Sequence, residues 1–171
     1  MAMLKLASLE DTRAFGSLLA RLLPASGVRA VLLRGSLGSG KTTLTAALVR
    51  ALPGGEEAEV SSPSFTLCNI YPTRPPLVHC DLYRSPGSAP EELLEALDDD
   101  AALAVVEWAD SLDRAELPED FLDISLKMED DARLLLLNGA GVRGKALAER
   151  LSREAGGVPG LPQAATVPRN G

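Results

Sequence analysis

The chain has 171 residues, 46% of them hydrophobic and 24% charged, which fits one compact domain with a buried core. Its net charge of −7 argues against a direct grip on nucleic acid, because phosphate binding needs a basic surface. No apolar run is long enough to span a bilayer, so no membrane role is expected. Cys68 and Cys80 form no CxxC pair and are too few for a disulfide framework, so they are expected to be free thiols in a reducing cytoplasm.

The opening residues MAMLKLASLEDTRAF hold only a short apolar stretch before turning acidic, which does not fit a secretory signal. Ser8, three residues before Asp11, is a helix start signal. Phe15, Leu18, Leu19, Leu22 and Leu23 then predict a one-faced helix over 11–23. AVLLR at 30–34 reads as a buried strand that stops at Gly35. Helical spacing returns over 41–52 through Leu44, Ala47, Leu48 and Leu52, and Pro53-Gly54-Gly55 ends it. SSPSFTLCNIY and LVHCDLY read as two short strands joined by the proline-bearing PTRPP loop.

Ser88-Ala89-Pro90-Glu91 opens a short acidic helix with Leu93, Leu94 and Leu97 on one side. Its acids, from Glu91 to Asp100, are expected to form a solvated face. LAVVEW at 103–108 is another apolar strand, ending in a carboxylate. From 122, Leu122, Ile124, Leu126 and Met128 alternate with polar residues, and ARLLLLN returns after a turn at Asp130-Asp131. This predicts an antiparallel edge hairpin with one wet face. A last helix is expected over 143–155. The Gly/Pro-rich residues 156–171 have little to bury and are expected to be a disordered tail, leaving a single domain over 1–155. The order of elements describes an α/β fold of the P-loop NTPase kind. That fold is a three-layer sandwich with a mixed, partly parallel sheet and its ligand site at the carboxyl ends of the parallel strands.

Residues 35–42, Gly35-Ser36-Leu37-Gly38-Ser39-Gly40-Lys41-Thr42, match the phosphate-binding pattern G-x-x-x-x-G-K-[ST] in full, with a strand before and a helix after. Backbone N–H groups can converge on a phosphate only where no Cβ obstructs the curve, hence Gly35, Gly38 and Gly40. The helix beginning near Lys41 adds free N–H groups and a positive end, and Thr43 lies in that same first turn. Lys41 brings a mobile charge to the outer phosphates, and Thr42 a hydroxyl to Mg2+. The ligands this loop predicts are therefore a triphosphate and Mg2+; ATP as that triphosphate rests on the absences and the resemblance below. A Gly/Ser turn that merely caps a helix would not need the complete pattern.

Two strands end in an acid, Asp81 and Glu107. Either can hold Mg2+ or its waters, or orient an attacking water, and spacing does not decide which does what. Ser61, Ser62, Ser64 and Thr66 carry hydroxyls that can reach phosphate, metal or a partner, as switch segments do; a polar turn before a strand is the plainer reading. His79, the only histidine, has no second ligand at metal spacing and reads as a structural histidine. Trp108 is equally well a packing anchor or a ligand contact. No NKxD guanine reader, no DxxG switch, no ABC signature and no arginine-rich kinase lid is present.

These blocks together resemble the TsaE (YjeE-type) ATPases of bacterial tRNA threonylcarbamoyladenosine biosynthesis. The resemblance rests on EDT at 10–12, GSLGSGKTT at 35–43, SSPSFTL at 61–67, HCDLYR at 79–84 and VEW at 106–108. It implies an ATPase that supports turnover of a TsaB–TsaD complex and meets tRNA only indirectly, in the cytoplasm. It also implies catalytic or metal roles for Lys41, Thr42, Asp81 and Glu107 and a switch-like segment from Ser61 to Thr66. Trp108 becomes a functional neighbour of Glu107, and Thr12 a residue near the nucleotide base. Ser36 stands where the family usually has Asp. The competing readings are a small-molecule kinase and a nucleotide-binding adaptor without hydrolysis.

Overall fold

The protein, represented by a computed structural model, is described over residues 2–63, 66–85, 87, 89–159, 161 and 165–166. Its elements in chain order are β1 (Ala2–Leu6), α1 (Leu9–Ser26), β2 (Ala30–Arg34), α2 (Lys41–Ala51), β3 (Cys68–Tyr71) and β4 (Leu77–Asp81). They continue with α3 (Glu91–Asp98), β5 (Leu103–Glu107), β6 (Phe121–Glu129), β7 (Ala132–Ala140), α4 (Gly141–Ala155) and β8 (Ala165–Thr166). The strands form one sheet in the order β3-β4-β5-β2-β6-β7-β1-β8. β4, β5, β2 and β6 run parallel, and β3, β7 and β8 pair antiparallel to their neighbours.

Both faces of the sheet are covered, so its central strands are apolar throughout rather than alternating. In β2, Val31 and Leu33 pack beneath α1 and α2, whereas Ala30 and Leu32 face α3. The larger core lies under α1, α2 and α4, around the fully buried Phe15, Leu19, Leu23 and Leu48. Each such side chain contributes roughly 1.5–3 kcal/mol by leaving water. α1 begins as expected: Ser8 Oγ accepts from Asp11 N at 3.1 Å while Asp11 Oδ2 accepts from Ser8 N at 3.1 Å. Such a capping box is worth about 1 kcal/mol.

Several expectations need amendment. Residues 2–6 form a strand, because Leu4 and Leu6 bury beside Leu135 and Leu137 of β7. The β6–β7 hairpin forms with its turn at Asp130-Asp131, and β1 and β8 extend the sheet beyond it. Within the segment expected to be a disordered tail, Leu161 is buried in the main core and Ala165–Thr166 pair with β1, so this part is anchored. Its remaining residues Gly160, 162–164 and 167–171 lie outside the described residues. In α3 the buried side chains are Leu93 and Ala96, and Leu94 is exposed; Ser88 lies outside the described residues. The reading of Cys68 and Cys80 as free thiols is overturned. They sit directly opposite each other in the β3–β4 ladder and are joined as a disulfide. Spacing along the chain is blind to such a cross-strand pair.

Candidate functional site

The alternation of side chains along each strand brings the chemistry to one place. In β5, Leu103 and Val105 face the α1/α2 core, so Glu107, two residues further, faces the same way. In β4, Leu77 faces that core, so His79 and Asp81 do too. The register sets Asp81 beside Glu107 at the carboxyl ends of their parallel strands. The loop from β2 to α2 crosses the same edge, so the N-terminus of α2 meets both acids.

Within the loop, Gly35, Gly38 and Gly40 have φ of 141°, 76° and 104°, conformations that side-chain-bearing residues rarely adopt. A methyl group at Gly35 would also collide with the Leu126 carbonyl. Lys41 folds back over the loop, and its Nζ donates to the carbonyls of Gly35 (2.8 Å) and Ser36 (2.9 Å). It also lies 4.1 Å from the centroid of the Trp108 ring, a favourable place for a cation. Burial pushes the Lys41 ammonium below its usual range, against the opposing pull of Glu107, Asp81 and Asp110.

Glu107 is 2% exposed and enclosed by donors. Thr42 Oγ1 donates to its Oε2 at 3.0 Å, and His79 Nε2 lies 2.9 Å from its Oε1. Thr45 Oγ1 is 3.5 Å from Oε1 and donates to Lys41 O at 3.1 Å. His79 is thus more than a structural histidine. It is fully buried, its Nε2 contacts Glu107, and among the described residues its Nδ1 has no hydrogen-bond partner. Asp81 accepts from the Ser62 hydroxyl and, at 3.0 Å, from the Tyr83 N–H. Ser62 therefore ties the segment after α2 to the acid at the end of β4. Trp108 has φ of 58°, unusual for a bulky residue, and its ring packs 4.7 Å from that of Tyr83.

A pocket of about 280 Å3 gathers Gly38, Gly40, Lys41 and Thr42 with Leu37, Thr43, Ser62, Asp81, Glu107 and Trp108. It also includes Arg133, which sequence reasoning missed. A second cleft of about 470 Å3 shares Thr42 and Thr43 with it and runs between α1 and α2 past Leu9, Arg13 and Arg50. Thr12 is buried, with its hydroxyl bonded to Ser8 O at 3.2 Å; its neighbours Leu9 and Arg13 are the residues that line the cleft. Ser39 is buried beneath the loop, and Ser36 opens onto a separate groove with Arg34, Asp110 and Lys127. Thr66 bonds Asn69 Oδ1 at 3.3 Å, Ser61 accepts from Asn69 Nδ2 at 3.4 Å, and both stand away from the pocket. Ser64 lies outside the described residues.

The donor set suits Mg2+. That ion takes one or two carboxylates with waters and substrate phosphates rather than a closed protein cage. Thr42, Asp81 and Glu107 bring oxygens of that kind to one pocket. No group of three or more His, Cys, Asp or Glu able to hold a metal forms among the described residues.

The family model described as "Threonylcarbamoyl adenosine biosynthesis protein TsaE" matches residues 6–135. A Streptomyces coelicolor protein named tRNA threonylcarbamoyladenosine biosynthesis protein TsaE is 38% identical over 143 residues, covering 77% of this chain and 92% of the relative. A Bacillus subtilis protein of the same name is 34% identical over 146 residues, covering 84% and 89%. The crystal structure of Bacillus subtilis YdiB superposes with a TM-score of 0.64 at 28% identity, covering 90% of this chain and 97% of that one.

Proposed function

The chain belongs to the TsaE family of tRNA threonylcarbamoyladenosine biosynthesis, and from that premise we propose that it serves this pathway by binding and hydrolysing ATP with Mg2+. The observation that carries the reading is the placement of Glu107, bonded to the first-turn hydroxyl of a complete phosphate loop. The glycine loop and the N-terminus of α2 bind the phosphates. Lys41 moves from the loop carbonyls to the outer phosphate oxygens. Thr42, whose O–H donates to Glu107, would hold Mg2+ through its hydroxyl oxygen. The ion, when bound, neutralises charge that develops on the transferred phosphoryl group.

Glu107, held rigidly by His79 and Thr42, is placed to orient the attacking water. Asp81 holds the Ser62 hydroxyl and so couples the switch-like segment to the pocket. The cleft between α1 and α2 takes the nucleoside, with Leu9 and Arg13 at its wall. The proteins that ATP turnover serves are the TsaB–TsaD pair, and an acidic chain of net charge −7 suits a protein partner better than direct contact with tRNA.

Reconstitution with TsaB, TsaD, the threonylcarbamoyl donor and tRNA tests this, with released phosphate and modified tRNA measured together. The expected result is phosphate release to water and several rounds of tRNA product per complex only when ATP and this protein are both present. Transfer of the γ-phosphate to an added metabolite would replace the reading with a kinase. Product turnover without any ATP consumption would replace it with an adaptor.

A further inference from the structure

The hairpin of β6 and β7 reaches past the rest of the sheet. β6 pairs with β2 only as far as Ser125, yet it continues from Leu126 to Glu129 before the chain turns. At about 3.3 Å per residue this overhang stands roughly 13 Å beyond the end of β2, and the phosphate loop packs against it. β7 returns along the overhang, and Arg133 lies in register with Met128 on one side and Leu6 on the other. Leu135 and Leu137 face the core under α1 and α2, so Arg133, two residues earlier, points to the same side, where the loop lies. A methyl group at Gly40 would stand 2.9 Å from Arg133 Nε. The hairpin thus delivers a guanidinium to the pocket that Asp81 and Glu107 also line.

Two other cations at this edge, Arg34 and Lys41, already have partners within the protein. Arg34 bonds Asp123 at 2.8 Å and also pairs with Asp110, and Lys41 is bonded to the loop carbonyls and lies over Trp108. Among the described residues Arg133 has no ion-pair partner, and its buried Nε has no hydrogen-bond acceptor. A buried guanidinium nitrogen without an acceptor is costly. Its planar fork matches the oxygens of a phosphate.

We propose that Arg133 binds the phosphates of the nucleotide, as a second cation supplied in cis by the β6–β7 hairpin. The proposal deepens the ATPase reading and rests on it. Trp108, the only tryptophan of the chain, borders the same pocket, so quenching of its fluorescence reports binding without any turnover. Titrations use Mg·ATP, Mg·ADP and inorganic tripolyphosphate against the wild type, Arg133→Gln and Arg133→Lys, with ligand-free thermal midpoints as the check on folding. Loss of a charge-assisted contact predicts about 10- to 100-fold weaker binding of ATP and tripolyphosphate by Arg133→Gln. Arg133→Lys, which keeps the charge but not the fork, should fall between, and it decides the matter if the glutamine variant does not fold. Wild-type affinity for all three titrants in every folded variant would overturn the proposal and leave the ATPase reading standing. A wild type that binds none of them would overturn both.

Discussion

The two sides of the phosphate pocket are finished to different degrees. On the carboxylate side, Glu107 already has His79, Thr42 and Thr45 around it, and Asp81 already holds Ser62 and Tyr83. On the cationic side, Lys41 is bonded only to the loop's own carbonyls and Arg133 Nε to nothing among the described residues. In the proposed ATPase the acids hold water and metal, and the protein's own groups orient them. In the same proposal Lys41 and Arg133 meet the phosphates. Electrostatic preorganisation, in which groups aimed at developing charge do not have to reorganise, holds for the acids alone, since Lys41 has to leave the loop carbonyls before it can meet a phosphate.

Removing Lys41 should break the comparison most severely. Lys41→Met is expected to weaken Mg·ATP binding by at least about 100-fold, since a charge pair near a protein surface is worth roughly 4 kcal/mol before desolvation. The sign on stability is opposite. Burial holds the folded Lys41 ammonium below its ordinary range, so its charged form opposes folding at neutral pH and ceases to do so as pH rises through the lowered value. The ligand-free thermal midpoint of Lys41→Met at pH 7 should accordingly not fall, and a clear drop would show that the two carbonyl contacts outweigh burial.

On the other side the expected effects fall on catalysis and stability. His79→Leu removes a donor from a buried carboxylate and should destabilise the protein by about 2–3 kcal/mol in urea unfolding. Wild-type stability would show that Glu107 does not depend on it. Ser62→Ala should leave Mg·ATP affinity unchanged and slow turnover several-fold, and a change in affinity alone would mean that Ser62 binds nucleotide directly. The smallest effect serves as a control outside the pocket. Glu154 on α4 accepts from Arg150 at 2.7 Å and Arg21 at 2.8 Å, which hold its carboxyl below the usual range. Its contribution is present above the unfolded value and lost as pH falls through the folded one. Glu154→Gln should therefore lower the thermal midpoint slightly at pH 7 and not at all at strongly acidic pH.

Much of this site was legible because its chemistry is written in local patterns. The loop from Gly35 to Thr42 carries its own backbone geometry, and LVHCD and LAVVE each show an apolar strand ending in an acid. What escaped reading depends on pairing between distant segments. Nothing near Arg133 announces a phosphate ligand; only the register with Met128 and the overhang past β2 place it over the loop. Residues 2–6 are too short for a strand signal of their own and become one by packing on β7. Cys68 and Cys80 likewise meet only once β3 folds onto β4. In ARLLLLN the four consecutive leucines leave no alternation to show which face of the strand Arg133 takes.

The proposed ATPase reading stands on Glu107 as the residue that orients the attacking water. Glu107→Gln keeps the shape and the contact with Thr42 while removing the carboxylate. With saturating Mg·ATP and the TsaB–TsaD partners present, phosphate release in a single turnover should fall by about 100-fold or more, in the range of a lost catalytic acid–base group, while Trp108 quenching shows ATP bound as in the wild type. Phosphate release at the wild-type rate from that variant would contradict the assignment.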